Sequence, residues 1–344
     1  MGNSSDVSTL VELLQRRAHS LPDQRAYTML AEGQTDRIHL TYGQLDREAR
    51  AIGARLQSVL AAGERVLLLY PDGLEYVTAF FGCLYAGAVP IPVYPPRLNR
   101  ANPRIQAIAT DAQARIALTT TSIAARLDVR RQHTPGLEGI HCLGTTYPEP
   151  GKDAGHWEES PLTGASVAYN QYTSGSTATP RGVVLSHSNL LHNLAHLQDA
   201  FRIRPEGMGV SWLPLYHDMG LIGGVLLALY VGGPLTMMSS TSFAQAPLRW
   251  LQAITRHKAT VSGGPNFAYQ LCVDRITPEE RAALDLSSWQ VAFCGAEPIR
   301  ADTLHRFAEA FAPCGFRPEA LCPGYGLAEA TLVVSTKAAS TEPT

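Results

Sequence analysis

Lysine is nearly missing from these 344 residues: Lys152, Lys258 and Lys337 are the only three. Arginine takes its place, a bias we read as genome composition and not as function. Positive charge is not in surplus either. Lys and Arg total 28 against 30 Asp and Glu, a formal net charge of −2. That balance excludes an extended polyanion-binding surface, so no nucleic acid partner is expected. Cysteine is sparse and scattered, at Cys83, Cys142, Cys272, Cys294, Cys314 and Cys322. No two of them form a CxxC pair, and no histidine cluster accompanies them. This excludes a disulfide framework or a zinc knuckle and leaves small buried hydrophobes. Residues 1–10 lack a basic segment followed by an apolar run, so no secretory signal is predicted. Gly2 fits the start of a myristoylation pattern, but Asp6 stands where Ser or Thr is wanted. Long apolar runs are also missing. Met219 to Met238 is uncharged, yet Gly232-Gly233-Pro234 interrupts it. It reads as a buried helix up to Tyr230 and a strand from Leu235, not as a membrane span. A cytoplasmic protein is the expectation.

What is present suits a packed α/β chain. Hydrophobic residues make up 45% and charged residues 17%, enough apolar material for a core and too little charge for disorder. Ser8 can cap a first helix, and Thr41 a second with Leu45, Ala49, Ile52 and Leu56 at helical spacing. Arg65 to Tyr70 is a near-continuous apolar run suited to a strand covered on both faces. Asp72 opens a helix. Val89 to Val93 is extended, and its prolines place it at a sheet edge or strand end. Further strands are expected at 116–119, 140–143, 167–172, 209–213, 259–262 and 290–294, with helices at 188–201, 243–257 and 300–311. Such alternation predicts mostly parallel sheets with right-handed crossovers. Thr146 to Gly164 is rich in Pro and Gly and reads as a seam. The expected organisation is therefore two mostly parallel α/β subdomains, 1–165 and 166–335, with a tail at 336–344. The candidate sites fall in the second, at the carboxyl ends of strands, where ligands of parallel sheets sit.

Three segments carry chemistry. Tyr172 to Gly182 follows a strand and packs the hydroxyls of Thr173, Ser174, Ser176 and Thr177, the flexible Gly175 and the cation Arg181 into one loop. Hydroxyls and free backbone N–H groups in a pliable loop can fold around a polyphosphate, and Arg181 can neutralise its charge. No GxxxxGK[ST] sequence is present, so this is not a Walker A loop. Gly324-Tyr325-Gly326-Leu327-Ala328-Glu329-Ala330-Thr331 places an aromatic ring between two glycines, free to face a flat base. The carboxylate of Glu329 suits Mg²⁺, a hard cation that favours oxygen. Gly295-Ala296-Glu297 is a strand-end turn where backbone can approach a ligand closely. Finally, Trp212 to Gly224 joins a His217-Asp218 pair to an apolar stretch interrupted by Gly220, Gly223 and Gly224. Glycines thin a wall and aliphatics such as Ile222 line it, which suits an alkyl-chain tunnel.

These segments together resemble the acyl-adenylate-forming superfamily of acyl-CoA synthetases, peptide-synthetase adenylation domains and luciferases. Ala178 and Arg181 depart from its signature loop, where many members have Gly and Lys. Trp212 to Gly224 and Gly87 to Arg97 resemble one branch more closely, the fatty acyl-AMP ligases that feed polyketide and lipopeptide assembly. The resemblance implies ATP and Mg²⁺ as cofactors, with Thr173, Ser174, Gly175, Ser176 and Thr177 around the β- and γ-phosphates. It implies Tyr325 and Gly326 against adenine with Gly295, Ala296 and Glu297 on its other side, Glu329 on Mg²⁺ and Thr331 near the α-phosphate. Trp212, Asp218, Gly220, Ile222 and Gly224 would line the acyl site, and His217 would orient the carboxylate. Thr173, Arg181 and His217 are the expected catalytic residues. The implied partners are a fatty acid and the phosphopantetheine arm of an acyl carrier protein. A fatty acyl-CoA synthetase, an amino-acid adenylation domain and a non-catalytic acyl- or carrier-protein-binding module are the competing readings. Full members continue with a Thr-Gly-Asp segment and a small C-terminal domain carrying a catalytic lysine. Neither motif occurs in these residues, so the chain is expected to be the front portion of such an enzyme and weakly active alone.

Overall fold

A computed structural model describes residues 7–31, 35–96, 102–129, 137, 139–147, 156–173 and 180–339. Its strands are β1 (Arg25–Ala31), β2 (Thr35–Thr41), β3 (Arg65–Leu69), β4 (Val89–Val93), β5 (Ile116–Thr120), β6 (His141–Thr145) and β7 (Val167–Thr173). They continue with β8 (Arg181–Ser186), β9 (Gly209–Ser211), β10 (Leu235–Met237), β11 (Val261–Gly264), β12 (Val291–Cys294), β13 (Leu321–Gly326) and β14 (Val333–Thr336). The chain folds into two compact units. The first comprises residues 1–24, 40–191 and 215–217, and the second comprises residues 25–39, 192–214 and 218–344. This division differs from a single seam near residue 165. Strand pairing decides it: β1, with β2 on its other side, lies beside β10, with Tyr27 opposite Leu235.

In the first unit β4-β3-β5-β6 form a parallel sheet, and β7 and β8 pair as an antiparallel hairpin. Pro90 and Pro92 lie on β4, an edge strand of that sheet, where a missing N–H is tolerated. The helix Tyr42–Gln57 begins with a capping box. Thr41 accepts from the Gln44 N–H, and the Gln44 side chain accepts from the Thr41 N–H. The first helix, Leu10–Ser20, is capped by Thr9, whose hydroxyl accepts from the Glu12 N–H at 3.0 Å. Ser8, expected in that role, instead gives its N–H and hydroxyl to the Glu12 carboxylate. His187 is fully buried and its Nδ1 accepts from the Leu10 N–H at 3.1 Å. Burial holds its pKa down to about 4.

The second unit is built on an eight-stranded sheet in the order β14-β13-β12-β11-β9-β10-β1-β2. From β1 through β10, β9, β11 and β12 to β13 the neighbouring strands run parallel, and β14 returns antiparallel to β13. Its core is aromatic, with Trp212, Phe243, Trp250, Tyr269, Trp289, Phe307 and Phe316 buried together. The helix expected over 243–257 is two helices, Ser240–Gln245 and Leu248–His257. Pro247 separates them, and the residue before it, Ala246, is extended at φ −146° and ψ 90°, as a preceding residue must be to avoid the proline ring. All six cysteines are free thiols, five of them buried. Among the described residues no helix is long and apolar enough to cross a membrane.

Candidate active site

In the second unit, β12 and β13 are parallel neighbours with Cys294 opposite Pro323. Their carboxyl ends therefore deliver Gly295-Ala296-Glu297 and Gly324-Tyr325-Gly326 side by side. A Cβ on Gly295 would lie 3.1 Å from the Gly324 carbonyl oxygen, so the two backbones approach closely and a side chain there would crowd Gly324. Ala296 holds φ +69°, a conformation an L-residue adopts at a cost and which is frequent at ligand sites. Gly326 sits at an irregularity in the β13–β14 pairing, where an added Cβ would strike the Leu332 carbonyl oxygen. Tyr325 is 63% exposed, which leaves its ring face open. Glu329 is exposed as well, while Thr331 is buried at φ +75°. Glu297 is engaged elsewhere. Its carboxylate accepts from the Phe267 N–H at 2.6 Å, in the first turn of the helix Asn266–Arg275. Asn193, not singled out by the sequence, braces this strip. Its side chain donates to the Val333 carbonyl at 3.0 Å and accepts from the Val333 N–H at 3.2 Å.

The same unit holds an apolar cavity of about 40 Å³ along β9. Ser211 and Leu213 line it at the carboxyl end of the strand, and Met208 and Ile203 at the amino end. The opposite wall is the helical stretch from Asp218 to Val231, which presents Met219, Gly223, Gly224, Leu227 and Val231. Residues Leu221–Leu226 of this stretch are π-helical, a local widening that recurs at functional sites. Among the described residues Ser211 is the one polar side chain in the lining, and its Oγ accepts from the Leu213 N–H. So apolar a lining suits hydrocarbon. The sequence-predicted acyl residues separate here. Gly224 lines the cavity. Gly220 does not, and its lack of a side chain lets the helix pass the Pro214 carbonyl, where a Cβ would clash. Ile222 is buried on another face, and Trp212 stacks on Phe243 with ring centroids 3.9 Å apart. The Asp218 carboxylate accepts from the Met219 N–H at 2.7 Å.

In the first unit, β7 and β8 bring Thr173 opposite Arg181 at the base of their hairpin. Ser174, Gly175, Ser176 and Thr177 lie outside the described residues. Arg181 is exposed. The short segment Leu215–His217 belongs to the same unit and is fixed by three residues of that unit. Asp72 accepts from the Leu215 N–H at 3.0 Å, Gln171 of β7 donates to the Tyr216 carbonyl at 3.3 Å, and Tyr94 meets the Tyr216 ring edge-on. His217, next along, is exposed. Gln171 and Thr173 are both on β7, so one strand serves both the hairpin and the histidine segment. Among the described residues no three His, Cys, Asp or Glu side chains gather as a metal site. Glu329 would thus be a single carboxylate ligand to Mg²⁺, which commonly keeps waters and phosphate oxygens as its other partners.

Comparison with known proteins supplies the context. A family model described as AMP-binding enzyme matches residues 14–344. The medium-chain-fatty-acid–[acyl-carrier-protein] ligase JamA of Moorena producens is 45% identical over 336 residues, which cover 96% of this chain and 57% of that protein. The long-chain-fatty-acid–AMP ligase FadD32 of Mycolicibacterium smegmatis is 38% identical over 350 residues, covering 98% and 55%. Among solved structures, the fatty acyl-adenylate ligase from L. pneumophila in complex with acyl adenylate and pyrophosphate superposes with a TM-score of 0.91 at 42% identity. The match covers 98% of this chain and 58% of that one. The chain thus spans a little over half the length of the relatives it matches.

Proposed function

We propose, because this chain belongs to the AMP-binding enzyme family, that it carries the nucleotide and acyl sites of a ligase that activates a fatty acid as acyl-AMP. The apolar cavity along β9 carries this reading. An α-amino acid would need a partner for its ammonium group, and among the described residues no ionised side chain lines that space. A saturated chain needs none.

In this reading the Tyr325 ring packs on the adenine, and the close-set backbone of Gly295 and Ala296 meets the base from the other side. Glu297 contributes by fixing that turn, since its carboxylate is engaged by Phe267. Thr173, Ser174, Gly175, Ser176, Thr177 and Arg181 take the β- and γ-phosphates, and Thr331 the α-phosphate. Glu329 would hold Mg²⁺, which when bound adds positive charge beside the phosphate oxygens. The ionised fatty carboxylate, oriented by His217, attacks the α-phosphorus; the bond to the bridging oxygen breaks, and pyrophosphate leaves with the electron pair. Positioning and charge stabilisation carry such chemistry. The acyl group then passes to a thiol, with the phosphopantetheine arm of a carrier protein as the acceptor. The names of JamA and FadD32 support a fatty acid as the substrate, and that of JamA a carrier protein as the acceptor.

Equilibrium binding tests the reading. The chain is expected to take up a non-hydrolysable ATP analogue and dodecanoate, and a well-folded protein that binds neither sinks it. Product analysis with coenzyme A and with holo carrier protein separates the acceptor from that of a fatty acyl-CoA synthetase.

A further inference from the structure

Five glycines line the cavity: Gly207, Gly209, Gly223, Gly224 and Gly233. Backbone packing accounts for Gly207 and Gly233, and leucine methyl groups crowd Gly209 and Gly223. An added Cβ would lie 3.0 Å from the Arg204 carbonyl oxygen at Gly207, 2.8 Å from Leu235 Cδ1 at Gly209 and 2.9 Å from the Gly207 carbonyl oxygen at Gly233. At Gly223 it would lie 3.3 Å from Leu332 Cδ2. Gly224 is different. Its nearest neighbours would be Leu235 Cδ2 and Ser211 Oγ, each 3.8 Å away, which is ordinary contact. Its backbone does not need glycine either, since its φ is not positive. A helix interior penalises glycine relative to alanine, so this position bears a cost that neither packing nor backbone geometry explains. What the missing side chain leaves is open space opposite Ser211.

That space is placed where it matters. Ligands enter parallel sheets from the carboxyl ends of the strands. A chain entering beside Leu213 would pass Gly224 and Ser211 before it reached Met208 and Ile203. We propose that Gly224 forms the waist of the acyl channel and so sets the longest fatty chain the protein accepts, with Met208 at the far end. This inference rests on reading the cavity as the acyl site.

Binding of saturated acids from hexanoate to palmitate to the 344-residue chain, by calorimetry or displacement of a fluorescent fatty acid, tests it. For the wild type, affinity should rise about fourfold per methylene until the channel is full. Gly224→Val should follow the same rise for the shortest acids, stop earlier, and bind the longest at least about tenfold more weakly. Gly224→Ala, the gentler change, should fall between the two, and Met208→Ala should move the limit to longer chains. A Gly224→Val profile that matches the wild type overturns the inference while leaving the acyl reading intact. So does a uniform loss at every chain length in a variant that melts like the wild type. Wild-type protein that binds no fatty acid overturns the acyl reading, and this inference with it.

Discussion

The Tyr27 hydroxyl donates to the Val225 carbonyl oxygen at 2.8 Å, within the π-helical turn that walls the cavity. The bond engages one carbonyl of that turn from outside the helix. Tyr27 is fully buried on β1, so one residue ties the first strand of the sheet to the wall. Tyr27→Phe leaves a buried carbonyl without this donor and should cost about 1–3 kcal/mol, read as a lower midpoint in urea. An unchanged midpoint would show that the hydroxyl does not hold the turn.

Tyr325 and Gly326 are adjacent and should behave oppositely. Tyr325→Ala removes an exposed ring, so stability should stay within about 0.5 kcal/mol. Nucleotide affinity should fall roughly tenfold, as for loss of one aromatic stacking partner. Gly326→Ala drives a Cβ into the Leu332 carbonyl and should cost about 3 kcal/mol or more. Calorimetry with an ATP analogue and thermal melting, run on both variants, separate the two effects.

Arg181 stands opposite Thr173 at the mouth of the hairpin. Arg181→Ala should weaken binding of an ATP analogue by about tenfold or more, the scale of a charge-assisted hydrogen bond. Binding of AMP, which lacks the β- and γ-phosphates, should change little. Equal losses for both nucleotides would remove Arg181 from the phosphate site.

His187 makes stability depend on pH. Its folded pKa, about 4, lies below the ordinary 6.5 because it is buried. Between those values the unfolded chain holds a proton that the folded chain does not. Stability is therefore full above about pH 6.5 and falls as pH drops toward 4, by up to roughly 3 kcal/mol. His187→Gln should flatten that part of the profile. A slope equal to that of the wild type in denaturation at several pH values would assign the dependence to other groups.

The local chemistry was largely legible in the residues themselves. Thr41 announces its helix cap, because capping is decided within a single helical turn. Residues 218–231 announce an apolar wall by composition. The edge position of β4 follows from Pro90 and Pro92. By contrast, Ser8 and Thr9 offered the same hydroxyl at adjacent positions, and only the backbone at Thr9 selects between them. The helix at Asn266–Arg275 was missed because its apolar residues show no one-sided helical stripe.

What the sequence by itself determined is the set of groups available: a hydroxyl-rich loop closed by Arg181, an aromatic between two glycines, and a charge-free stretch after His217-Asp218. Tertiary structure decided which of them stay open and which are taken up by the fold itself. Gly220 and Gly224 look equivalent in sequence, yet one is taken by the Pro214 carbonyl and the other by open space. Glu297 looks like a free carboxylate until the helix at Asn266 arrives beside it. Asp72, Gln171 and Asn193 gained roles only because strands and loops far apart in sequence came within hydrogen-bond reach. Composition and spacing act over a few residues, whereas those contacts depend on strand order and helix register, which are settled by the packing of the whole chain.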